Sequence, residues 1–225
     1  MNLVKRAAIS LLENALGKTG TVLSVRSWQP ATFFEIEAHF PEMSMDKWTV
    51  AQHMKVKVAE GVYRDYTPAC WDAAAKVCTL LVDAVQDGPG ANWARNLKAG
   101  DVITHVGVGS ALHRPETTGA MYALGDLSAL GHFLALAQLA QSPVTTVIAA
   151  KEPMHREYLE KFSGVTHVLQ HDKGGEAALL QWWQQHQPGN GTIYVAGHMY
   201  TCIALRKAIK AGGFEGRIKV AGFWK

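Results

Sequence analysis

Two short segments in the first half of the chain combine residue types that suit a flat, phosphorylated ligand. The first contains Arg64, Asp65, Tyr66 and Thr67, at the end of a predicted strand and directly before Pro68. A guanidinium can bind a diphosphate, an aromatic ring can stack on a heterocycle, and a hydroxyl can supply one hydrogen bond. Alternation along a strand places Arg64 and Tyr66 on the same face, so both can reach one ligand.

The second segment is a glycine-rich turn that enters a short helix about twenty residues later. Free backbone N–H groups and the helix dipole make such a turn a ready anion site. Either segment alone is compatible with an ordinary strand end or turn, but their order within one β-rich half favours a ligand site. The candidate residues of the second segment are Asp87, Gly88, Gly90, Ala91, Asn92 and Trp93.

The half of the chain that holds both segments has the pattern of an antiparallel sheet. Short stretches rich in Val, Thr, Phe and Trp are separated by Pro, Gly or Asp turns, which is typical of strands. A short helix is predicted at about 90–97, and an amphipathic helix over 2–16, ended by Gly17, precedes the sheet. The predicted strands, which we expect to form a six-stranded β-barrel, cover 20–28, 32–40, 50–58, 61–70, 76–86 and 102–108.

After Pro115 the pattern changes to a strict alternation of strands and helices, which indicates a parallel sheet covered by helices. A polar stretch from His113 to Glu116 marks the boundary. We therefore predict an N-terminal helix over 1–17, a β-barrel domain over 18–115 and an α/β domain over 116–225. The second domain has predicted strands at 121–124, 144–150, 166–170, 192–196 and 217–222, and predicted helices at 127–141, 154–161, 175–186 and 199–211.

The composition of the 225-residue chain excludes several classes of protein. With 48% hydrophobic and 18% charged residues the chain is globular, and no apolar run is long enough for a membrane span. A net charge of +3 is too small for nucleic-acid binding to be its main role. Three cysteines without a C-x-x-C motif favour a reducing cytoplasm and exclude a four-thiolate iron–sulfur cluster within this chain. No spacing of histidines or cysteines indicates a resident metal.

The two segments and the order of the predicted domains resemble the ferredoxin–NADP reductase superfamily, whose barrel binds FAD through an Arg-x-Tyr-Ser/Thr motif. More narrowly, the sequence is similar to the siderophore-interacting, ferric-siderophore reductase family. Three stretches carry this narrower resemblance: Asp87 to Ala94, Gly125 to Leu130, and the closing Gly222-Phe223-Trp224. The resemblance covers roughly residues 20–225.

The resemblance implies that FAD is the cofactor of the barrel. Tyr66 would stack on the isoalloxazine ring and Thr67 would hydrogen-bond near its reactive edge, which makes these two residues the catalytic candidates. Arg64 would neutralise the diphosphate, helped by backbone amides from Gly88 to Asn92. A cover for the flavin ring is the hypothesis for Trp224, near the end of the chain.

The resemblance also implies that the α/β domain binds NADPH or NADH. The nucleotide would be received by Gly125, Asp126 and Ser128, with Asp126 as the cap of the helix that follows. Gly197 belongs to the same candidate site. The sequence departs from the family at the next position, where His198 replaces an acidic residue.

The choice between the two nucleotides depends on the residues that follow the second strand of this domain. Lys151, His155 and Arg156 suit the 2′-phosphate of NADPH, whereas Glu152 suits a ribose hydroxyl of NADH. NADPH is favoured, and the donor stays open.

The activity implied by the resemblance is reduction of a ferric siderophore or another ferric chelate, which serves iron acquisition and in which iron is a substrate. Anionic siderophores favour a basic cleft, and the candidates for it are Lys55 and Lys57, on one face of a predicted strand. Two alternatives stay open. The first alternative is a flavoprotein reductase that passes electrons to a ferredoxin or haem protein. The second is a non-catalytic flavin- or siderophore-binding protein.

Overall fold

A computed structural model describes residues 17–110, 113–171, 174–187 and 189–225. The predicted helix over 2–16 lies outside the described residues. The chain divides into two compact units, one that runs to Ser110 and one that begins at residue 111. The second unit also includes the short segments Trp28–Pro30 and Thr49–Ala51.

The first unit is an antiparallel sheet with one more strand than predicted. The predicted strand over 61–70 is two strands, because the chain changes its hydrogen-bonding partner at Thr67. β4 pairs with β3, whereas β5, which begins at Pro68, pairs with β6. The sheet has the order β4-β3-β7-β1-β2-β6-β5 and is open between β4 and β5, so the prediction of a closed six-stranded barrel is wrong. Its strands are β1 Lys18–Trp28, β2 Phe33–His39, β3 Gln52–Ala59, β4 Val62–Tyr66, β5 Pro68–Asp72, β6 Val77–Asp83 and β7 Val102–Ser110.

Alternating burial along the strands gives this unit its core. In β3, Met54 and Val56 are fully buried, while Lys55 points outward. Burial of such an apolar side chain stabilises the fold by about 1.5–3 kcal/mol. Helix α1, Pro89–Asn96, contributes Ala91 and Ala94 to the same core.

The second unit confirms the predicted parallel α/β sheet. Every strand pair in its order β10-β9-β8-β11-β12 is parallel. None of the described helices has the length and apolar character needed to cross a membrane. The elements are β8 Ala120–Asp126, α2 Leu130–Leu139, β9 Val144–Ala150, α3 His155–Leu159, β10 His167–Gln170, α4 Gly175–His186, β11 Gly191–His198, α5 Met199–Ala211 and β12 Arg217–Trp224.

The order of these strands creates a crevice between two of them. From β8 the chain builds outward through β9 and β10 on one side, and then returns to add β11 and β12 on the other. The connections therefore leave β8 and β11 in opposite directions. In open parallel sheets, ligands bind beyond the carboxyl ends of the strands at such a switch point.

The second unit also contains a buried pair of histidines. His132 Nε2 and His113 Nδ1 are 2.7 Å apart, and His113 is fully buried. The ring of Tyr194 meets His113 edge-on, with 5.2 Å between the ring centroids. Burial, with a smaller contribution from the charge of Lys219, lowers the pKa of His113 to about 4. His113 is therefore neutral near pH 7.

The lowered pKa of His113 makes the stability of the second unit depend on pH. Between about pH 6.5 and 4 the unfolded chain binds a proton at this residue that the folded chain does not bind. The stabilisation is complete above pH 6.5 and is lost as the pH falls towards 4, up to on the order of 3 kcal/mol. We expect the Tm to fall more steeply with acid in the wild type than in His113→Gln.

Thermal unfolding followed by circular dichroism at about pH 7 and about pH 4.5 measures this difference. His186→Gln, at an exposed position of α4, is the matched control and should keep the wild-type dependence. Equal acid sensitivity of the wild type and His113→Gln would contradict the assignment.

Candidate functional site

Arg64 and Tyr66 lie on the inward face of β4. The strand register pairs Arg64 with Val56 and Tyr66 with Met54, and both partners are buried. Residues directly opposite each other in an antiparallel pair share a face of the sheet. The side chain of Asp65 lies on the other face, where it accepts a hydrogen bond of 2.8 Å from Lys55.

Tyr66 is held against the first helix of the unit. Its ring stacks on that of Trp93, with 5.6 Å between centroids and 16° between planes. Burial raises the pKa of Tyr66 to about 12 in spite of the nearby charge of Arg64. The phenol therefore stays protonated. Because Trp93 covers one face of the ring, a flat ligand would stack on the other face or displace the indole.

Gly90 is required by the close approach of α1 to β4. A Cβ at Gly90 would lie 2.6 Å from Tyr66 Oη and 3.4 Å from Arg64 Cγ. A Cβ would force the Tyr66 hydroxyl to move, whereas its approach to Arg64 would be an ordinary van der Waals contact. The glycine in the predicted anion turn thus has a definite structural purpose, which is to let the helix begin beside the aromatic ring.

The N-terminus of α1 presents free backbone donors. Gly88 is the N-cap and Pro89 the first helical residue, and the first turn contains no acidic side chain. Within a helix the first N–H groups have no internal acceptor, which leaves those of Gly90 and Ala91 for a ligand. An anion would be stabilised there by the donors and by the helix dipole.

Arg95 fixes the loop that precedes this helix and was missed by the sequence analysis. Its guanidinium donates to the carboxylate of Asp87 at 2.7 Å, to the carbonyl of Ala84 at 2.7 Å and to Asn92 Oδ1 at 3.3 Å. The side chains of Asp87 and Asn92 therefore shape the turn. The only sequence signal was its spacing of one helical turn from Asn92.

Arg64 is the exposed cation of this site. Its Nη1 donates to the carbonyl of Tyr63 at 2.8 Å, and within the described part of the chain it pairs with no carboxylate. Thr67 is half-buried between β4 and β5. An unneutralised guanidinium, a protonated phenol and the free amides of α1 fit a flavin that carries a diphosphate.

In the second unit, Asp126 joins the carboxyl ends of β8 and β11. Its carboxylate accepts hydrogen bonds from the backbone N–H of Ser128 at 3.0 Å, from the Ser128 hydroxyl, and from the backbone N–H of His198 at 2.6 Å. Asp126 thus caps a 3-10 turn, Leu127–Ala129, that leads into α2, and it also ties the two strands together at the switch point.

Two glycines permit this junction. A Cβ at Gly197 would lie 2.4 Å from Asp126 Oδ2, and its φ of +118° is in a region that side chains rarely adopt. A Cβ at Gly125 would lie 2.2 Å from the carbonyl oxygen of Ala196. The structure therefore brings three of the predicted site residues, Gly125, Asp126 and Gly197, together at one point.

Trp224 lies at the same edge of the sheet. Its indole Nε1 donates to Ser128 Oγ at 3.0 Å, and its ring is 4.5 Å from that of His198. His198 Nδ1 is in turn 3.0 Å from Thr201 Oγ1. The contact of Trp224 with a flavin ring stays a prediction.

The residues predicted to recognise a 2′-phosphate differ in availability. Lys151 directly follows β9 and is exposed. Arg156 is committed to the carbonyl of Val168 at 2.9 Å and lies 3.7 Å from Glu160. His155 is only 1% exposed, with its ring 5.4 Å from Trp28, so this histidine cannot take part.

The chain has the order of units that the resemblance implied, an antiparallel sheet followed by a parallel α/β unit. Residues 31–123, less than half of the chain, match the family model described as the siderophore-interacting FAD-binding domain. This match confirms the resemblance to the siderophore-interacting family that was inferred from the sequence. No curated protein matches the chain.

Solved structures share the fold over nearly the whole chain. A siderophore-interacting protein from Acinetobacter baumannii is 16% identical, with a TM-score of 0.76 over 92% of this chain and 90% of that one. A siderophore utilization protein from T. fusca is 20% identical, with a TM-score of 0.69 over 93% and 92% of the two chains. The cytochrome P450 reductase of Amycolatopsis is 20% identical, with a TM-score of 0.75 over 93% of this chain and 70% of that one.

The contact of Gly90 with Tyr66 predicts which glycine of the turn matters for FAD binding. We expect Gly90→Ala to weaken FAD binding at least about tenfold, or about 1.4 kcal/mol, because the new Cβ displaces Tyr66. Titration of the flavin-free protein with FAD, followed by flavin fluorescence, measures the change.

Gly88→Ala is a matched control two positions away. A Cβ at Gly88 meets nothing within 4 Å, and its φ of 170° is extended backbone that alanine adopts readily. Its affinity for FAD should equal that of the wild type. If both variants bound FAD alike, the packing of Gly90 on Tyr66 would have no part in the site.

Proposed function

We propose that this protein is a FAD-dependent NAD(P)H oxidoreductase that reduces ferric siderophores and releases their iron as Fe(II). The observation that carries the proposal is the match of residues 31–123 to the siderophore-interacting FAD-binding domain. We assign the flavin to the domain over 18–115 and the nucleotide to the domain over 116–225. When bound, FAD would accept two electrons as a hydride and could release them one at a time.

The first unit binds and orients the flavin with three side chains and two backbone amides. Arg64 and the amides of Gly90 and Ala91 neutralise the diphosphate, which their charge and free donors support. Tyr66 packs against the ring system and stays protonated because of its raised pKa. Thr67, at the point where β4 gives way to β5, donates a hydrogen bond to the reactive edge.

The second unit binds the pyridine nucleotide at the switch point between β8 and β11. Asp126 and Ser128 shape the crevice, and Gly197 leaves room for the Asp126 carboxylate between the two strand ends. We propose NADPH as the donor, with Lys151 as the cation for its 2′-phosphate. Arg156 is already bonded to β10 and supports that edge. The alternative donor is NADH, and Glu152 would then bind a hydroxyl of its ribose.

The reaction balances as one NADPH and two Fe(III) giving NADP⁺, a proton and two Fe(II). Siderophore oxygen donors prefer the harder Fe(III), so reduction weakens their hold on the metal. Lys55 and Lys57 stay the proposed contacts for an anionic siderophore. Lys55 forms an ion pair of 2.8 Å with Asp65, which offsets part of its charge.

The alternative is a reductase that passes electrons to a protein. It is favoured by structural neighbours that include a cytochrome P450 reductase and a ferredoxin reductase in carbazole 1,9a-dioxygenase. Turnover with a ferric chelate alone, without added protein, favours the siderophore reductase. A flavin that NADPH and NADH both fail to reduce favours a non-catalytic binding protein.

The role of Arg64 can be tested by comparing two flavins. Arg64→Gln should weaken FAD binding about 10- to 100-fold, because a charge-assisted hydrogen bond to the diphosphate contributes about 1.5–3 kcal/mol. Riboflavin, which has no phosphate, should bind the variant and the wild type equally. Fluorescence titration with each flavin gives both affinities.

Lys98→Gln removes an exposed positive charge elsewhere in the same unit and is the matched control. It should leave both affinities unchanged. An equal loss for FAD and riboflavin in Arg64→Gln would mean that Arg64 does not bind the diphosphate.

The activity is tested in one anaerobic cuvette. NADPH should bleach the flavin absorbance near 450 nm, and a ferric siderophore should restore it while a chelator traps Fe(II). Recovery should need no other protein. If the protein is colourless and does not bind added FAD, the proposed flavin site is wrong. If NADPH bleaches the flavin but the ferric siderophore does not restore its absorbance, only the proposed ferric substrate is wrong.

A further inference from the structure

His198 lies at the carboxyl end of β11, beside the switch point. It ends β11 and caps α5, and its backbone N–H is fixed to Asp126 at 2.6 Å. Its imidazole Nδ1 is 3.0 Å from the Thr201 hydroxyl. The other ring nitrogen, Nε2, has no hydrogen-bond partner among residues 17–110, 113–171, 174–187 and 189–225. One nitrogen is therefore positioned by the protein and the other is left for a ligand or water.

The groups that face His198 come from three elements. The facing groups are the carboxylate of Asp126 at the end of β8, the phenol of Tyr200 on α5 and the indole of Trp224 on β12. Lys225 follows Trp224 in the chain. Imidazole changes its charge between about pH 5 and 8.

The carboxylate of Asp126 opposes an anionic ligand at this point. A pyridine nucleotide brings a diphosphate to the switch point, where like charges repel. An imidazolium at His198 would cancel the charge of Asp126 and supply an N–H donor from Nε2. Thr201 Oγ1 can accept the second N–H of the same cation, since a protonated histidine donates from both ring nitrogens.

We propose that His198 couples binding of the pyridine nucleotide to uptake of a proton. The imidazolium form binds an anionic group of the nucleotide through Nε2, and the neutral form does not. One proton moves from solvent to His198 for each neutral site that binds, and no bond in the nucleotide changes. The inference rests on the proposed function, because it takes the nucleotide as the ligand of the switch point.

The test is calorimetric titration of the flavin-loaded protein with NAD⁺ and, separately, with NADP⁺. The binding enthalpy is measured in two buffers with different ionisation enthalpies, because their difference reports the number of protons taken up. Near pH 7.5 we expect uptake of about half a proton or more, and a dissociation constant that rises as the pH increases, by up to about tenfold per unit. NAD⁺ is the decisive ligand because the 2′-phosphate of NADP⁺ takes up protons itself.

His198→Gln keeps a donor and an acceptor without a titratable charge, so it should abolish the uptake with NAD⁺ and flatten the pH dependence. His186→Gln, an exposed histidine in the same unit, should behave as the wild type. Thr201→Val should move the uptake to lower pH, because it removes an acceptor of the imidazolium. Circular dichroism confirms that the variants are folded.

The outcomes distinguish failure of the proposed role of His198 from failure of the proposed nucleotide donor. If the wild type binds NAD⁺ without proton uptake, or if His198→Gln takes up as many protons, His198 is not the coupling residue and the nucleotide site stands. If neither nucleotide binds at any pH, the proposed nucleotide donor fails, and this inference fails with it.

Discussion

The candidate site of the second unit depends on the hydrogen bonds that the carboxylate of Asp126 accepts. It accepts hydrogen bonds from both the turn after β8 and the end of β11, and so it fixes the two edges of the crevice at the switch point. A buried or half-buried carboxylate is stable only when its oxygens are satisfied, so each of these donors is needed. The glycine at 197 is part of the same constraint, because any side chain there would occupy the position of the carboxylate. A substitution of Asp126 or of Gly197 would therefore disrupt the hydrogen bonds that join the ends of β8 and β11.

The first unit solves a different problem, since it must hold an aromatic ring and a cation near a helix N-terminus without burying an unpaired charge. It does so at the edge of the sheet. Tyr66 faces the core and packs on Trp93, while the guanidinium of Arg64 reaches solvent. An edge strand has no neighbour on one side, which leaves room for a ligand beside its side chains. The charge of Arg64 is exposed to water there, and in the proposed function a diphosphate takes the place of that water.

Sequence patterns predicted most of the fold because the local signals were strong. The alternation of strands and helices after Pro115 gave β9, α4 and α5 the bounds that the structure has. The break at Thr67 was missed because 61–70 reads as one strand by composition, and only the competing partners β3 and β6 divide it. The role of Arg95 and the burial of His155 against Trp28 depend on contacts between residues far apart in the chain. The motif Arg64 to Thr67 was recognised through its order before the glycine-rich turn in one β-rich half. The Tyr66–Trp93 stack was not predicted, because it depends on how α1 packs on β4.

The opening of the sheet between β4 and β5 has a consequence for the behaviour of the protein in a crowded solution. Both strands are edges, and unpaired edges invite pairing with another molecule. β4 is only five residues long and carries Arg64 and Asp65. β5 begins with a proline and is interrupted by an irregularity at Cys70, whose φ is +49°. These features blunt both edges, so the strand that presents the candidate site is protected from the intermolecular sheet extension that leads to aggregation.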